Sequence, residues 1–184
     1  MAVDVEELKE KIKIQEGCIN HMYLDTRGYV TVGVGHLIRD PAHARELPFV
    51  FRRNGSMATA DEIINEYHIL KEQPVGLRAT SYEPYTQLIL PDTEIESLLD
   101  QHIEEFTKGL KSNFQGFDDF PPPAQEALYD MAFNLGMSGL INKFPKMVAA
   151  AQNGQWNVCA TECRRTGISD SRNLDTKKLF ESCW

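Results

Sequence analysis

The sequence predicts an α+β fold that is mostly helical and contains one small β-hairpin. Three patterns lead there. Residues 4–16 look like a capped amphipathic helix. Residues 19–34 change to strict alternation around a glycine turn. From residue 92 onward, apolar side chains recur at helical spacing.

Asp4-Val5-Glu6-Glu7 reads as a capping box, an N-cap residue followed three positions later by glutamate. Val5, Leu8 and Ile12 then define one apolar face, and Gly17 is a natural stop, so the helix should end at about Glu16. A glutamate in that last turn lies at the negative end of the helix dipole, which suits a proton donor. The hairpin follows, with Asp25-Thr26-Arg27-Gly28 as its turn. Val30, Val32 and Val34 are expected to face a core, with Tyr29, Thr31 and Gly33 on the other face, where Asp25 can also point. Gly33 and Gly35 should leave room for a ligand to approach the backbone.

Thr59-Ala60-Asp61-Glu62 is a second capping box, opening a helix to about Lys71 with Ile63, Ile64, Tyr67 and Leu70 toward the hairpin. Residues 73–91, with Pro74, Pro84 and Pro91, read as irregular chain. Tyr82 and Tyr85 there either anchor a surface loop or form the lip of a binding groove, the anchored loop being preferred. A capping box of Thr93 and Glu96 opens a long helix to about Lys111, with Ile95, Leu98, Leu99, Phe106 and Leu110 as its apolar stripe and a solvated acidic face. Pro123 starts the next helix, apolar on nearly every side from Glu126 to Leu135; Asp130 and Asn134 share one face of it, as satisfied core groups or as part of a binding floor. Pro145 opens a segment that stops at Asn153-Gly154. Trp156 to Arg165 follows as a helix ended by Gly167, then a loop over 169–173, then a short helix from Leu174 to Phe180.

A length of 184 residues is ample for a real core. The net charge of −8 disfavours nucleic acid as a partner. No apolar run approaches a membrane span, and residues 1–20 lack a signal-peptide core. Cys159 and Cys163, one helical turn apart, should be buried thiols rather than an easy disulfide or a zinc site, with a bridge from Cys183 to either as the alternative.

Glu16 and Asp25, nine residues apart, with the Thr31 hydroxyl six further on, supply what glycosidic cleavage needs: an acid, a facing carboxylate and a group to hold water. Taken singly, each has a structural explanation, as a solvated helix end, a turn former and a strand residue. Together they resemble a family signature. The run Glu16-Gly17, Asp25, Gly28-Tyr29, Thr31 and Gly33-Val34-Gly35-His36 is similar to that of the phage-type lysozymes, endolysins of glycoside hydrolase family 24. Ala127 to Gly136, ending Phe133-Asn134-Leu135-Gly136, resembles that family's buried helix, and Asn153-Gly154-Gln155-Trp156 its later helix junction. The resemblance covers about residues 1–38 and 91–184.

It implies a lysozyme-like α+β fold with a cleft between two lobes. The small lobe would span about 17–90 with an extended 37–91 insertion. The linking helix would span about 92–111, and the helical lobe about 112–184 together with the N-terminal helix 4–16. It implies that Glu16 is the general acid, Asp25 the second catalytic carboxylate and Thr31 the residue that orients the attacking water, which favours an inverted product. Gly35, Phe133, Asn134 and Arg172 would contact substrate, and His36 would pack beneath the hairpin. The family's acid opposite that histidine is replaced by His102, with Asp100 and Glu104 nearby.

The implied reaction is hydrolysis of the β-1,4 bond between N-acetylmuramic acid and N-acetylglucosamine in peptidoglycan, without metal or cofactor. The rivals are a lytic transglycosylase and a non-catalytic wall-binding module. Expected partners are peptidoglycan glycan strands and an immunity or inhibitor protein, with the chain itself a monomer and no membrane insertion. Since residues 1–20 carry no signal-peptide core, either a holin-type pore or a contractile secretion system would deliver it from the cytoplasm to the periplasm, or it is a piece of a longer polypeptide.

Overall fold

The computed structural model describes residues 3–183; Met1, Ala2 and Trp184, the last residue of the expected helical lobe, lie outside them. Two compact units emerge, Glu16–Gln101 and Met1–Gln15 with His102–Trp184. The expected small lobe ran from 17 to 90; the observed unit also takes in Glu16 and the first turns of the long helix.

In the unit Glu16–Gln101, three antiparallel strands lie in the order β1 (Ile19–Leu24), β2 (Val30–Gly33), β3 (His36–Ile38). The third strand was not foreseen: three residues behind two glycines give too little alternation to read. Helix α2 (Pro41–Ala44) and strand β4 (Val50–Phe51) follow. Helix α3 (Ala60–Lys71) then opens with a complete capping box, the Thr59 side chain accepting from Glu62 N–H while the Glu62 carboxylate accepts from Thr59 N–H. Ile63, Tyr67 and Leu70 are buried along it. So is Glu66, whose carboxylate accepts from the N–H groups of Gln87 (2.6 Å) and Leu88 (3.1 Å). Burial raises the Glu66 pKa, and those two bonds pull it part of the way back.

Residues 73–91 are more ordered than their composition suggests. They hold a 3-10 segment, Ala79–Tyr85, and strand β5 (Leu88–Ile89), which pairs antiparallel with β4. Tyr82 is fully buried and donates to the Pro74 carbonyl at 2.7 Å, so it anchors the segment, while Tyr85 is exposed. Helix α4 (Asp92–Asn113) starts directly after Pro91 and places Thr93 inside its first turn rather than at the cap.

On the face of β2 expected to admit a ligand, Tyr29 is exposed but Thr31 and Gly33 are not. Val30, Thr31, Val32 and Gly33 are all buried. A Cβ on Gly33 would meet Ile95 Cγ2 at 3.3 Å, so this glycine serves close packing and not ligand access.

In the other unit, α1 (Val5–Glu16) is capped by Asp4, whose Oδ1 accepts from Glu6 N–H (3.0 Å) and Glu7 N–H (3.1 Å). Leu8 and Ile12 are buried, but Val5, expected beside them, is exposed at the helix start. Helix α5 (Pro122–Lys143) is buried over Ala127–Ala132 and runs past its expected end, after a break at Gly136 (φ 69°, ψ 159°). Helices α6 (Pro145–Gln152), α7 (Trp156–Glu162) and α8 (Asp170–Glu181) complete it. Helix α7 stops short of the expected Arg165. Helix α8 begins a full turn earlier than expected, because Ser169 caps it by accepting from Arg172 N–H at 3.1 Å.

A buried ionic knot joins these helices. Asp130 bonds Arg165, Arg172 (2.8 Å) and Thr176 (2.8 Å), which makes it a satisfied core group. Arg165 is 2% exposed and also reaches Thr176 Oγ1 at 2.6 Å. All four cysteines are thiols: Cys159 and Cys163 are buried, Cys183 is half-buried and Cys18 is exposed, so the alternative Cys183 bridge does not form. Burial pushes the Cys159 thiol up to about 12.

Candidate active site

Glu16, Asp25 and Thr31 all fall in one compact unit. Glu16 is the last residue of α1, half-buried, and Gly17 turns the chain sharply away at φ 80°. Nine residues on, β1 delivers Asp25 to the hairpin turn, where it does two things. Its backbone N–H donates to the Tyr29 carbonyl at 2.9 Å and its carbonyl accepts from Gly28 N–H at 3.0 Å, closing the turn. Its side-chain Oδ1 accepts from the N–H groups of Arg27 and Tyr29, both at 2.8 Å. A short carboxylate gripped in this way cannot change rotamer freely. Among the described residues Oδ2 takes no hydrogen bond.

Thr31 is 4% exposed, and its Oγ1 lies 3.3 Å from the Tyr29 carbonyl, to which it donates. Having spent its proton there, the hydroxyl offers only lone pairs to anything else.

Tyr23 ties the group together. It sits directly opposite Thr31 in the β1–β2 register, so the two side chains share a face, and it precedes Asp25 by two residues. Its phenol is pushed up to about 12, first by burial and then by the negative charges of Asp25 and Glu16. The sequence reading passed over Tyr23. Its signal was available, since a period of two puts Tyr23 and Asp25 on one side of β1.

Gly35 is exposed at φ 74° with open space where a side chain would stand. His36, half-buried on β3, meets His43 edge-on at 5.3 Å between centroids. The two rings line a polar cavity of about 290 Å³ with Glu46, Glu94, Ser97 and Gln101. His102 lies 3.9 Å from Glu105, and Glu104 pairs with Lys108 at 2.6 Å in solvent. Phe133 and Asn134, both half-buried, belong to the other unit, where Phe133 packs on Phe106 with centroids 4.6 Å apart. Arg172, expected to face substrate, has its guanidinium held by Asp130 Oδ1 at 2.7 and 2.8 Å, with 11% of its side chain exposed. Among the described residues no cluster of histidine, cysteine or carboxylate side chains could hold a metal ion.

The chain is 25% identical over 168 residues to "Probable T4-type lysozyme 1" of Dictyostelium discoideum, an alignment covering 88% of this chain and 84% of that protein. It is related to the phage-type lysozymes. No family model matches the chain. The lysozyme relationship fits the observed architecture, an α+β fold of helices around a small antiparallel sheet.

Proposed function

We propose that this lysozyme relative is a muramidase, hydrolysing the β-1,4 bond between N-acetylmuramic acid and N-acetylglucosamine. The reading is supported most by the hairpin geometry, in which two backbone N–H groups hold Asp25 Oδ1 at 2.8 Å and Thr31 stands opposite Tyr23, two residues before Asp25. In this mechanism Glu16 gives its proton to the glycosidic oxygen as the C1–O bond breaks. A water accepted by the Thr31 lone pairs attacks C1 from the opposite side and passes its proton to Asp25 Oδ2. Two backbone donors hold Asp25 in place for that step. The product has inverted configuration at C1.

Gly35 gives the glycan backbone room to approach, and Phe133 and Asn134 are proposed as further substrate contacts. The chain acts as a monomer on peptidoglycan strands, as an endolysin or an antibacterial effector. No described helix is long and apolar enough to cross a membrane. A holin-type pore or a secretion system carries it to the periplasm, where an immunity or inhibitor protein would restrain it. Expression with and without an export signal in a Gram-negative host tests delivery: lysis requires the signal, and lysis without it refutes the dependence.

Digestion of purified sacculi tests the chemistry. Mass spectrometry should find reducing muramic ends. Products ending in 1,6-anhydro sugar would make it a lytic transglycosylase, and intact sacculi would make it a binding module.

A further inference from the structure

We propose that Lys71 is a positioning residue for the reaction, acting on Asp25 through a single peptide group; the inference rests on the muramidase reading. Lys71 ends α3, within the segment 37–91. Its Nζ donates to the Gly28 carbonyl at 2.7 Å. The N–H on the other side of that same peptide bond belongs to Tyr29, and it donates to Asp25 Oδ1 at 2.8 Å.

The Gly28–Tyr29 peptide is trans, so its C=O and N–H point in opposite directions across one resonance-linked plane. An ammonium on the oxygen draws electron density toward it and makes the N–H a stronger donor, the polarisation that links hydrogen bonds in chains. The positive charge of Lys71 thus reaches the carboxylate as a tighter grip on Oδ1, and Oδ2 stays aimed at its water.

A second contact favours the same role for this segment. Gly28 adopts φ 81°, and a Cβ built there would meet Val75 Cγ2 at 3.1 Å. Val75 follows α3 by four residues, so the chain after the helix packs directly against the turn whose carbonyl Lys71 holds. Part of the segment 37–91 is therefore a brace for the Asp25 turn.

The test compares wild type, Lys71→Met and Lys71→Arg in the full chain, by kinetics on soluble peptidoglycan fragments and by amide NMR. Lys71→Met should lower kcat roughly fivefold, about 1 kcal/mol of transition-state stabilisation, with KM changed by less than about twofold. The Tyr29 amide proton should move upfield as its bond to Oδ1 weakens, while amides of β3 stay in place. Lys71→Arg, which keeps a cationic donor, should restore both readouts. An unmoved Tyr29 amide, or a loss confined to KM, overturns the relay. A wild type that cleaves no peptidoglycan overturns the muramidase reading instead, and the Tyr29 amide still decides whether the relay exists.

Discussion

Asp25 fixes its turn and, in the proposed mechanism, takes a proton from water, and two substitutions pull these roles apart. Its Oδ1 accepts two backbone N–H bonds at 2.8 Å, and its charge is the one assigned to the water. Hydrogen bonds to a charged group contribute about 1.5–3 kcal/mol each when buried. This turn is half exposed, and water replaces part of that, so D25A should lose roughly 2–3 kcal/mol in total. D25N keeps an acceptor oxygen in the same place, with neutral bonds about half as strong, so it should lose about 1 kcal/mol. In a chain of this size each kcal/mol moves Tm by about 2–4 °C, which gives a drop of roughly 4–12 °C for D25A and about 2–4 °C for D25N. Activity should not follow that order. Both variants lack the charge and should release muropeptides about 10²- to 10⁴-fold more slowly. The assay pairs thermal melts with muropeptide release from sacculi at a temperature where both variants are folded. A D25N protein with wild-type turnover would reduce Asp25 to a turn former, and a D25N melt as low as that of D25A would refute the assigned bonds.

Asp130→Ala should cost about 3–5 kcal/mol, because it leaves the buried Arg165 guanidinium without its carboxylate, and urea unfolding will show whether it does. Gly33→Ala combines positive φ with a 3.3 Å approach to Ile95 and should destabilise by roughly 2–4 kcal/mol, read from the same transition. Acidification from pH 7 to 5 should destabilise the fold through His21, which is 4% exposed and has its pKa lowered by burial. The unfolded chain binds more protons there than the folded one, so stability falls as pH falls. Glu66, with its raised pKa, binds protons earlier in the folded state and opposes the trend. His21→Gln should flatten the slope of urea midpoint against pH. In native protein at pH 8, a thiol reagent should modify Cys18 quickly and leave Cys159 unreacted until denaturant is added; fast labelling of Cys159 would contradict its burial.

What could be read in advance was local. The Thr59–Glu62 box, the stop at Gly17 and the Gly28 turn each depend on neighbours within a few residues, and all three formed as their chemistry dictates. Glu16, Asp25 and Thr31 share a unit because they sit on a helix end, a turn and an adjacent strand close in sequence. What escaped notice was decided at a distance. Gly33 is closed over because Ile95, some sixty residues later, packs against it. Arg165 reads as the polar end of a helix, yet Asp130 and Thr176 take it into the core. Ser169 is an N-cap residue, but the polar run after it has no apolar periodicity, so the sequence alone does not mark the first turn of α8. Lys71 looked like an ordinary helix terminus; only the fold brings it to the Gly28 carbonyl.

Glu16 is proposed to donate the proton that breaks the sugar linkage. The most direct measurement is mass-spectrometric quantitation of muropeptides released from purified sacculi by wild type and by Glu16→Gln at matched folded fraction. Reducing muramic ends are expected from the wild type and none above background from E16Q. Comparable release by E16Q would show that another group supplies the proton.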